Sequence, residues 1–382
     1  MKILVINYEF PPVGGGGGDV SKNLSLELAK AGHSVHVVTS WVKGLMKKEE
    51  IDGYTVQRIN VLRKRKDRCS LFEMALFILI GSLHCLHIAR KFRPDIIHCH
   101  FGMPVGPIGY LIYKIWGVRY ILTLHGSDVP GHDQRVLNLY SMLTPFIRKV
   151  YKNAARMVVV SDHFKKMVSE GLRIQAPIEV IHNGVDTDFW SCPTPRVFSA
   201  RPLRLLFVGR FSPEKGIDTL LDACRILKQQ GIAFRLTLVG DGPERKKIEP
   251  LIIKNHIEPE TSITGWLGKN EVRMHMCDSH IIIFPSLIEG FPTTAYLQAL
   301  ATGVVAMVSD IPGAQQYTVH TQQRFKLKDA QALAERIIYF SERPEMLESI
   351  SRSSIELAQK NSWKSIALQY DTLFKKIAAS NV

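Results

Sequence analysis

The first forty residues read MKILVINYEF PPVGGGGGDV SKNLSLELAK AGHSVHVVTS, and they already indicate the kind of fold. Residues 3–6 form a short apolar run, which is typical of a parallel strand buried on both faces. Two prolines and the glycines of residues 14–18 interrupt it. The next segment has an apolar helical face formed by Val20, Leu24, Leu28 and Ala31. Gly32 ends that helix and residues 34–39 form a second strand, which predicts a right-handed βαβ unit and a parallel sheet.

The alternation of strands and helices continues along the chain. A first series of short apolar runs lies at residues 95–98, 120–124, 157–160 and 179–181. A second series lies at residues 203–208, 235–239, 280–284 and 304–308. Residues 186–202 are rich in Pro, Ser and Arg, which is typical of a linker. We therefore predict two Rossmann-like, doubly wound α/β domains, residues 1–185 and 203–360, with a closing helix in residues 361–382. Ligands bind such sheets outside the carboxyl ends of their strands, so we expect a central cleft that both domains face.

Composition and charge narrow the class of protein. Of 382 residues, 46% are hydrophobic and 22% are charged, which is ordinary for globular domains. The net charge of +14 is uneven, because residues 1–184 carry 25 Lys and Arg against 14 Asp and Glu, or +11. A basic domain favours an anionic partner, such as a membrane surface, a phosphorylated substrate or nucleic acid. No basic stripe is interleaved with aromatic residues, so we expect no nucleic acid partner.

The cysteines and the start of the chain indicate a cellular compartment. The six cysteines are scattered and form no CxxC pair. The chain opens directly into a strand pattern, so we expect no secretory signal. Both observations favour a cytoplasmic protein with reduced thiols.

One segment raises the question of membrane contact. Residues 63–66, the basic segment, precede residues 74–89, which contain no Asp, Glu, Lys or Arg. This stretch is shorter than the roughly 20 apolar residues that span a bilayer, so a transmembrane helix is the least favoured interpretation. The others are a helix in the membrane interface and an ordinary half-buried helix. The interfacial helix predicts peripheral association with the inner face of the membrane.

Residues 14–18, the glycine loop, lie between a strand and a helix that begins near Asp19. Glycines let backbone N–H groups approach a ligand closely, and a helix N-terminus favours negative charge. No acidic residue follows at dinucleotide-binding spacing, and no Gly-Lys-Ser or Gly-Lys-Thr follows, so the loop is neither a dinucleotide fingerprint nor a P-loop. The alternative to a ligand-binding loop is a flexible turn.

Two later loops are suited to holding a diphosphate and a sugar. Residues 209–216, the Arg210 loop, follow the first strand of the second domain. Arg210 and Lys215 there are suited to neutralising a diphosphate as it leaves, although a solvated charged loop is the alternative. Residues 289–294 begin a helix after a later strand, and free N–H groups there would hold phosphate oxygens. Glu289 would accept hydrogen bonds from sugar hydroxyls.

Six motifs in order point to one family. They are the glycine loop, the runs at residues 123–128, 182–186, 209–216 and 239–243, and Pro285-Ser286 followed by residues 289–292. Their order resembles the large family of retaining glycosyltransferases with the GT-B fold. This family-four-like group includes bacterial mannosyl-, glucosyl- and N-acetylglucosaminyltransferases. The resemblance covers essentially the whole chain. It implies that the amino-terminal domain binds the acceptor and the carboxy-terminal domain binds a nucleotide-diphosphate sugar.

The resemblance also implies roles for particular residues. The catalytic set is His125, Arg210, Lys215 and Glu289. The donor-binding set is Gly16, Gly17, Gly209, Gly265, Trp266, Leu267, Gly290, Phe291, Pro292, Thr293, Thr294 and Gln298. The acceptor-side set is Gly15, Gly18, His98, His100 and Asp128. The family's second glutamate, which usually bonds the ribose, falls at Leu297 or at Gln298, depending on where a one-residue insertion is placed.

His98 and His100 alternate along a strand and share a face, but no third ligand lies at metal-binding spacing. We therefore expect them to line the cleft, and we expect neither a metal nor a cofactor beyond the nucleotide sugar. UDP-sugars are favoured over GDP-sugars. The expected acceptor is a hydroxyl of a glycan, a glycolipid or a small molecule, with lipid-linked and anionic acceptors included. The alternatives are a nucleotide-sugar 2-epimerase of the same fold and a catalytically degenerate accessory subunit.

Overall fold

The computed structural model describes residues 1–66, 69–126, 128–129, 137–172, 177–288 and 292–379, and within 137–142 it describes the backbone alone. The chain divides into two compact units. The first comprises Met1–Asn183 and Trp363–Val382, and the second comprises Gly184–Ser362. Each unit is built on its own sheet.

The strands of the first unit form one sheet. They are β1 (Lys2–Ile6), β2 (Ser34–Ser40), β3 (Lys48–Ile51), β4 (Tyr54–Ile59), β5 (Ile96–His100), β6 (Tyr120–Leu124), β7 (Arg156–Val159) and β8 (Ile178–Val180). In the described part of the chain their order is β3-β4-β2-β1-β5-β6-β7-β8. Only the β3–β4 pair in this sheet of described strands is antiparallel. Because β2 and β5 lie on opposite sides of β1, the carboxyl ends of β1 and β5 form a topological switch point.

Helices cover both faces of this sheet. They are α1 (Gly16–Lys30), α2 (Leu71–Phe92), α3 (Gly106–Trp116), α4 (Leu137–Lys152) and α5 (Asp162–Leu172). Alternate residues of β1 enter two different cores. Leu4 and Ile6 pack with residues of α2, α3, α4 and α5, whereas Ile3 and Val5 pack with α1. This alternation explains why the strand is apolar throughout.

Helix α2 contains the uncharged stretch that raised the question of membrane contact. Its first turn is closed by a capping box, in which Ser70 Oγ accepts the Glu73 N–H and Glu73 accepts the Ser70 N–H. Its inner face packs into the core through Phe77, whereas Leu79 and Leu83 on the outer side are 66% and 71% exposed. Among the described helices, α2 has the length and composition to cross a membrane, a test that core helices of soluble proteins also pass.

The second unit repeats the architecture with a smaller sheet. Its described strands are β9 (Leu203–Val208), β10 (Phe234–Val239), β11 (Thr261–Gly265), β12 (Ile281–Phe284), β13 (Val305–Ser309) and β14 (Arg324–Phe325). They are all parallel, in the order β11-β10-β9-β12-β13-β14. The helices are α6 (Ile217–Gln229), α7 (Arg245–Lys254), α8 (Lys269–Asp278), α9 (Thr294–Thr302), α10 (Ala314–Tyr317), α11 (Ala330–Ser341) and α12 (Pro344–Lys360). The switch point of this sheet lies at the carboxyl ends of β9 and β12. Two doubly wound α/β units confirm the predicted fold class.

The closing helix, α13 (Trp363–Ala379), belongs to the first unit. Phe374 and Tyr370 join the core that α1 covers. The Tyr370 hydroxyl lies 3.1 Å from Thr123 Oγ1, at the end of β6. These contacts place the last helix of the chain against the sheet that carries the predicted histidines.

Residues 186–202, predicted to be a linker, lie instead within the second unit. Trp190 is buried in the second unit's core, and Arg196 Nη1 donates to the Gly303 carbonyl at 2.7 Å. Cys192 forms a disulfide with Cys277, which corrects the expectation of reduced thiols throughout. The spacing of scattered cysteines did not reveal this pair, because the fold brings together residues 85 positions apart.

Candidate functional site

The loops that follow β1, β5 and β6 meet at the switch point of the first unit. A Cβ atom added to Gly17 would lie 2.4 Å from Phe101 Cζ and 3.4 Å from His125 Cγ. The glycine loop therefore packs closely on these two rings, and a side chain at Gly17 would push the loop and the rings apart. The structure thus brings together two residues, Gly17 and His125, that lie far apart in the sequence.

Glu9 holds the glycine loop in shape. Its Oε2 accepts the N–H of Gly15, the residue that caps α1, at 3.1 Å. Gly14 has a φ of +96°, and a Cβ atom there would lie 2.4 Å from Glu9 Cβ. Gly16 is the first residue of α1, and the Gly18 N–H donates to the Gly15 carbonyl at 2.9 Å. The sequence analysis missed Glu9, because a single acidic residue before two prolines gives no motif.

Three histidines pack together beside the glycine loop. His100 Nδ1 and His125 Nε2 lie 3.0 Å apart, and their rings are stacked within 7° of parallel. His98 Nε2 lies 2.8 Å from Thr123 Oγ1, and the His98 ring centroid is 4.2 Å from that of His100. In the His100–His125 contact one nitrogen must donate and the other accept, so the tautomers of these two neutral rings are coupled.

Burial keeps these histidines neutral. It lowers the pKa of His98 and that of His125 to about 3, and it lowers the pKa of His100 well below its usual value. A neutral imidazole supplies no charge to a phosphate, but it offers hydrogen bonds to a sugar. His98 and His100 are fully buried, whereas His125 is partly exposed, so a ligand can reach His125. Within the described residues, no three His, Cys, Asp or Glu side chains are grouped to hold a metal ion.

Asp128 fixes the backbone around His125. Its Oδ1 accepts the N–H groups of His125 and Gly126 at 2.9 and 3.0 Å, and its Oδ2 accepts that of Gly102 at 2.8 Å. Burial raises the pKa of Asp128 to about 6, and the backbone hydrogen bonds oppose that rise. Asp128 therefore positions His125. Since only 1% of its surface is exposed, it is shielded from an acceptor substrate.

Phe101 is a site residue that the sequence analysis missed. It has a φ of +74°, which is rare for a bulky side chain and is found where the surrounding structure enforces it. Its N–H donates to the Thr123 carbonyl at 2.8 Å, and its ring lies 4.9 Å from Tyr8 and 4.8 Å from His125. The available signal was its place directly after a strand without exposed residues.

In the second unit, glycines let the loops after β9, β10 and β11 close on one another. A Cβ atom on Gly240 would lie 1.9 Å from the Gly209 carbonyl oxygen. The Gly240 N–H donates to the Gly265 carbonyl at 2.9 Å. The predicted donor residues Gly209 and Gly265 therefore lie at the same edge of the sheet. They are joined through Gly240, which the predicted donor-binding set does not include.

The residues after Gly265 divide between surface and core. Trp266 is 68% exposed, which leaves its ring available for stacking. Leu267 packs against the second unit's core and anchors the loop.

The Arg210 loop is attached to the loop that follows β12. The Leu287 N–H donates to the Glu214 carbonyl at 2.8 Å. A Cβ atom on Gly216 would lie 2.3 Å from the Pro285 carbonyl oxygen, so these backbones are in direct contact. The structure thus brings the two predicted cations beside the chain that leads to Glu289.

The electrostatics of the Arg210 loop favour an anion. Arg210 is exposed, and in the described part of the chain its guanidinium has no carboxylate partner. Lys215 is half-buried at the end of a short 3₁₀ turn. Burial alone would raise the pKa of Glu214, but a hydrogen bond from Ser212 and the nearby cations lower it overall. Glu214 is therefore ionised. Its single negative charge neutralises only one of the two positive charges of Arg210 and Lys215.

Glu289, Gly290 and Phe291 lie outside the described residues. Pro292 is buried, and Thr293 caps α9 by accepting the Tyr296 N–H on its Oγ1 at 3.2 Å. Thr294 is the first residue of α9. The capping threonine satisfies one of the free N–H groups at this helix end and fixes where the helix begins.

Both positions at which the family's second glutamate can fall lie on α9. Leu297 is fully buried in the second unit's core, whereas Gln298 is partly exposed. Of these two residues, Gln298 is therefore the one that a ligand can reach.

Two models of glycosyltransferase families together match most of the sequence. The model described as Glycosyltransferase Family 4 matches residues 14–189, and that described as Glycosyl transferases group 1 matches residues 195–356. The putative colanic acid biosynthesis glycosyltransferase WcaL of Escherichia coli K12 is 30% identical over 274 residues, which cover 69% of this chain and 66% of that protein.

Solved structures share the fold at lower sequence identity. Sucrose-phosphate synthase from Thermosynechococcus elongatus superposes with a TM-score of 0.81 at 21% identity and covers 99% of both chains. Anabaena HepE, solved in complex with UDP, has a TM-score of 0.76 at 17% identity and covers 98% of this chain and 100% of its own. The fold is therefore GT-B, and the chain belongs to the family-four-like glycosyltransferases and is a hexosyltransferase, as its sequence motifs predict.

Proposed function

We propose that the protein transfers a hexosyl group, with retention of configuration, from a nucleotide-diphosphate sugar to a hydroxyl of a glycan, a glycolipid or a small molecule. The second unit binds the donor and the first binds the acceptor. The observation that carries this proposal is the attachment of the Arg210 loop to the loop after β12, through the Leu287–Glu214 hydrogen bond. That contact gathers Arg210 and Lys215 at the switch point of the second sheet, where nucleotides bind in doubly wound folds.

In the proposed mechanism the bond between the donor sugar and its phosphate breaks as Arg210 and Lys215 neutralise the leaving diphosphate. The acceptor oxygen attacks from the same face, and its proton passes to the departing phosphate oxygen. The two cations supply the charge that a metal supplies in other transferases, so we propose transfer that needs no metal. His125, as a neutral ring, donates or accepts a hydrogen bond at the sugar.

We propose UDP-sugars as donors ahead of GDP-sugars. HepE, which shares the fold, was solved with UDP, and this supports a uridine nucleotide. At the ribose, Gln298 replaces the usual carboxylate. Its amide forms neutral hydrogen bonds, which are about half as strong as charge-assisted ones. We therefore propose weaker donor binding than a glutamate would give.

A thermal-shift panel of UDP-, GDP- and ADP-sugars tests the donor proposal. A ligand present at 100 times its Kd stabilises the protein by about 2.7 kcal/mol, so a UDP-sugar should raise the melting temperature by several degrees. Incubation with the same donor and no acceptor serves as the control, because an epimerase would then produce an epimer. No shift with any of the three donors would contradict the proposal.

We also propose that the first unit associates with an anionic lipid surface on the cytoplasmic side of a membrane. Four large apolar side chains along the outer side of α2 are 58–71% exposed: Leu71, Phe72, Leu79 and Leu83. The net charge of +11 in residues 1–184 favours anionic headgroups beside this stripe. Apolar residues flanked by basic charge are the pattern of a helix that lies in the interface.

Replacing Leu79 and Leu83 together with serine should weaken binding to phosphatidylglycerol-containing vesicles by about tenfold or more, because two exposed apolar contacts are lost. Vesicle flotation at low and high salt measures this, and wild-type binding should fall as salt rises. Leu368→Ser is the matched control, because Leu368 is a 65% exposed leucine on α13 of the same unit. Equal losses for the double variant and the control would contradict the role of α2.

A further inference from the structure

The basic segment, residues 63–66, lies against the glycine loop. The Gly14 N–H donates to the Lys66 carbonyl at 2.7 Å, so the two stretches are joined backbone to backbone. Gly14 and Lys66 are 52 positions apart in the sequence, and neither the proposed donor binding nor the proposed membrane association uses this contact. The segment therefore belongs to the surroundings of the first unit's switch point.

A buried cation anchors the basic segment. Arg63 is 4% exposed, and its guanidinium donates to the Tyr8 carbonyl at 2.9 Å and to the Arg65 carbonyl at 3.0 Å. It also reaches the Ser40 hydroxyl at 3.3 Å. These acceptors are all neutral, and the opposite charge near Arg63 is the Glu73 carboxylate, whose pKa the Arg63 charge helps to lower. The Arg63 charge adds positive potential beneath the segment, and Glu73 offsets part of it.

The segment is also fixed from the side of α2. Glu73 Oε1 accepts the Lys64 N–H at 3.0 Å, while its Oε2 accepts the Ser70 N–H and hydroxyl. The Lys64 and Lys66 side chains are exposed, and within the described residues neither ammonium has a carboxylate partner. Two cations on a backbone held at both ends form a preorganised surface for an anion.

Glu9 limits where that anion can bind. Its carboxylate lies at the same end of the glycine loop as Lys66, because it accepts the N–H of Gly15, the neighbour of Gly14, at 3.1 Å. Like charges repel, so an anionic group is favoured at the exposed Lys64 and Lys66 side chains and disfavoured at the loop backbone beside Glu9. The acceptor hydroxyl can then lie toward the glycine loop while its anionic group lies toward the lysines.

We propose that Lys64 and Lys66 bind a phosphate ester carried by the acceptor, and so make the enzyme selective for phosphorylated acceptors. This inference rests on the proposed function, because it assigns a substrate class to the same site. The phosphate belongs either to a soluble sugar or polyol phosphate or to a lipid headgroup. Both present a phosphate group with one or two negative charges to the two ammonium groups.

The test compares Lys64→Ala/Lys66→Ala with Lys165→Ala/Lys166→Ala, which removes the same charge from exposed positions of the same unit. Calorimetric titration with glycerol 1-phosphate, with glycerol as the neutral match, probes the soluble source. Flotation with phosphatidic acid vesicles probes the lipid source. We expect the first variant to lose about tenfold or more of the binding to at least one probe, and the second to stay within about twofold of wild type.

Loss in the soluble arm identifies a soluble phosphate ester, and loss in the vesicle arm alone identifies a lipid headgroup. Equal losses in the two variants, or no loss in either arm, overturn the proposal. The UDP-sugar thermal shift of the Lys64→Ala/Lys66→Ala variant is measured in parallel and should match wild type. A wild-type protein that shows no such shift contradicts the proposed transferase function, whatever the phosphate probes give.

Discussion

Replacing Arg210 or Lys215 with alanine should lower the rate of sugar transfer by about 30- to 1,000-fold. Removing one preorganised donor to a developing charge costs about 2–4 kcal/mol, and each 1.36 kcal/mol is a factor of about ten in rate. The diphosphate gains charge as the glycosidic bond breaks, so the loss should fall mainly on kcat. Steady-state kinetics with the donor found in the thermal-shift panel measures it.

Lys254→Ala is the control for these two variants. Lys254 is an exposed lysine at the end of α7 in the same unit, so its loss changes the net charge without changing the Arg210 loop. Transfer by this variant should stay near the wild-type rate. If either Arg210→Ala or Lys215→Ala stayed within about threefold of wild type, the assignment of that residue to the leaving group would be wrong.

The local pattern of apolar residues was sufficient to predict many of the strands and the fold class. The apolar runs at residues 120–124 and 203–208 are β6 and β9 with the predicted bounds, because strands buried on both faces are apolar at most positions. The hairpin of β3 and β4 was not predicted. Strand β3 reads Lys-Glu-Glu-Ile and lies at the edge of the sheet, where charged side chains face solvent and hide the strand pattern.

The candidate site was harder to predict than the fold, because the arrangement of its residues depends on contacts between loops that are distant in the sequence. A motif identified His125, but its support by Asp128 became clear only from the hydrogen bonds to the turns after β5 and β6. The different burial of Leu297 and Gln298 on α9 likewise became clear only from the packing of that helix. The disulfide between Cys192 and Cys277 likewise depends on the folded path of the chain.

Gly216→Ala should lower transfer by about 100-fold, because misplacing a catalytic group by about 1 Å has an effect of that order. Gly216 has a φ of +59°, and a Cβ atom there would lie 2.3 Å from the Pro285 carbonyl oxygen. Since a carbonyl oxygen cannot yield as a flexible side chain does, the Arg210 loop and the loop after β12 must move apart. Lys215, the neighbour of Gly216, would then no longer be held where the diphosphate leaves.

Gly231→Ala separates this steric effect from backbone strain. Gly231 has a φ of +72°, close to that of Gly216, but no atom lies within 4 Å of an added Cβ. Strain in the left-handed region should cost both variants about 1–2 kcal/mol of stability, and the clash with Pro285 adds to this cost in Gly216→Ala alone. Only Gly216→Ala should also lose the UDP-sugar thermal shift and the transfer rate. If both variants kept wild-type kinetics, contact between the two loops would not be required for transfer, and the second unit's site would have to be assembled in another way.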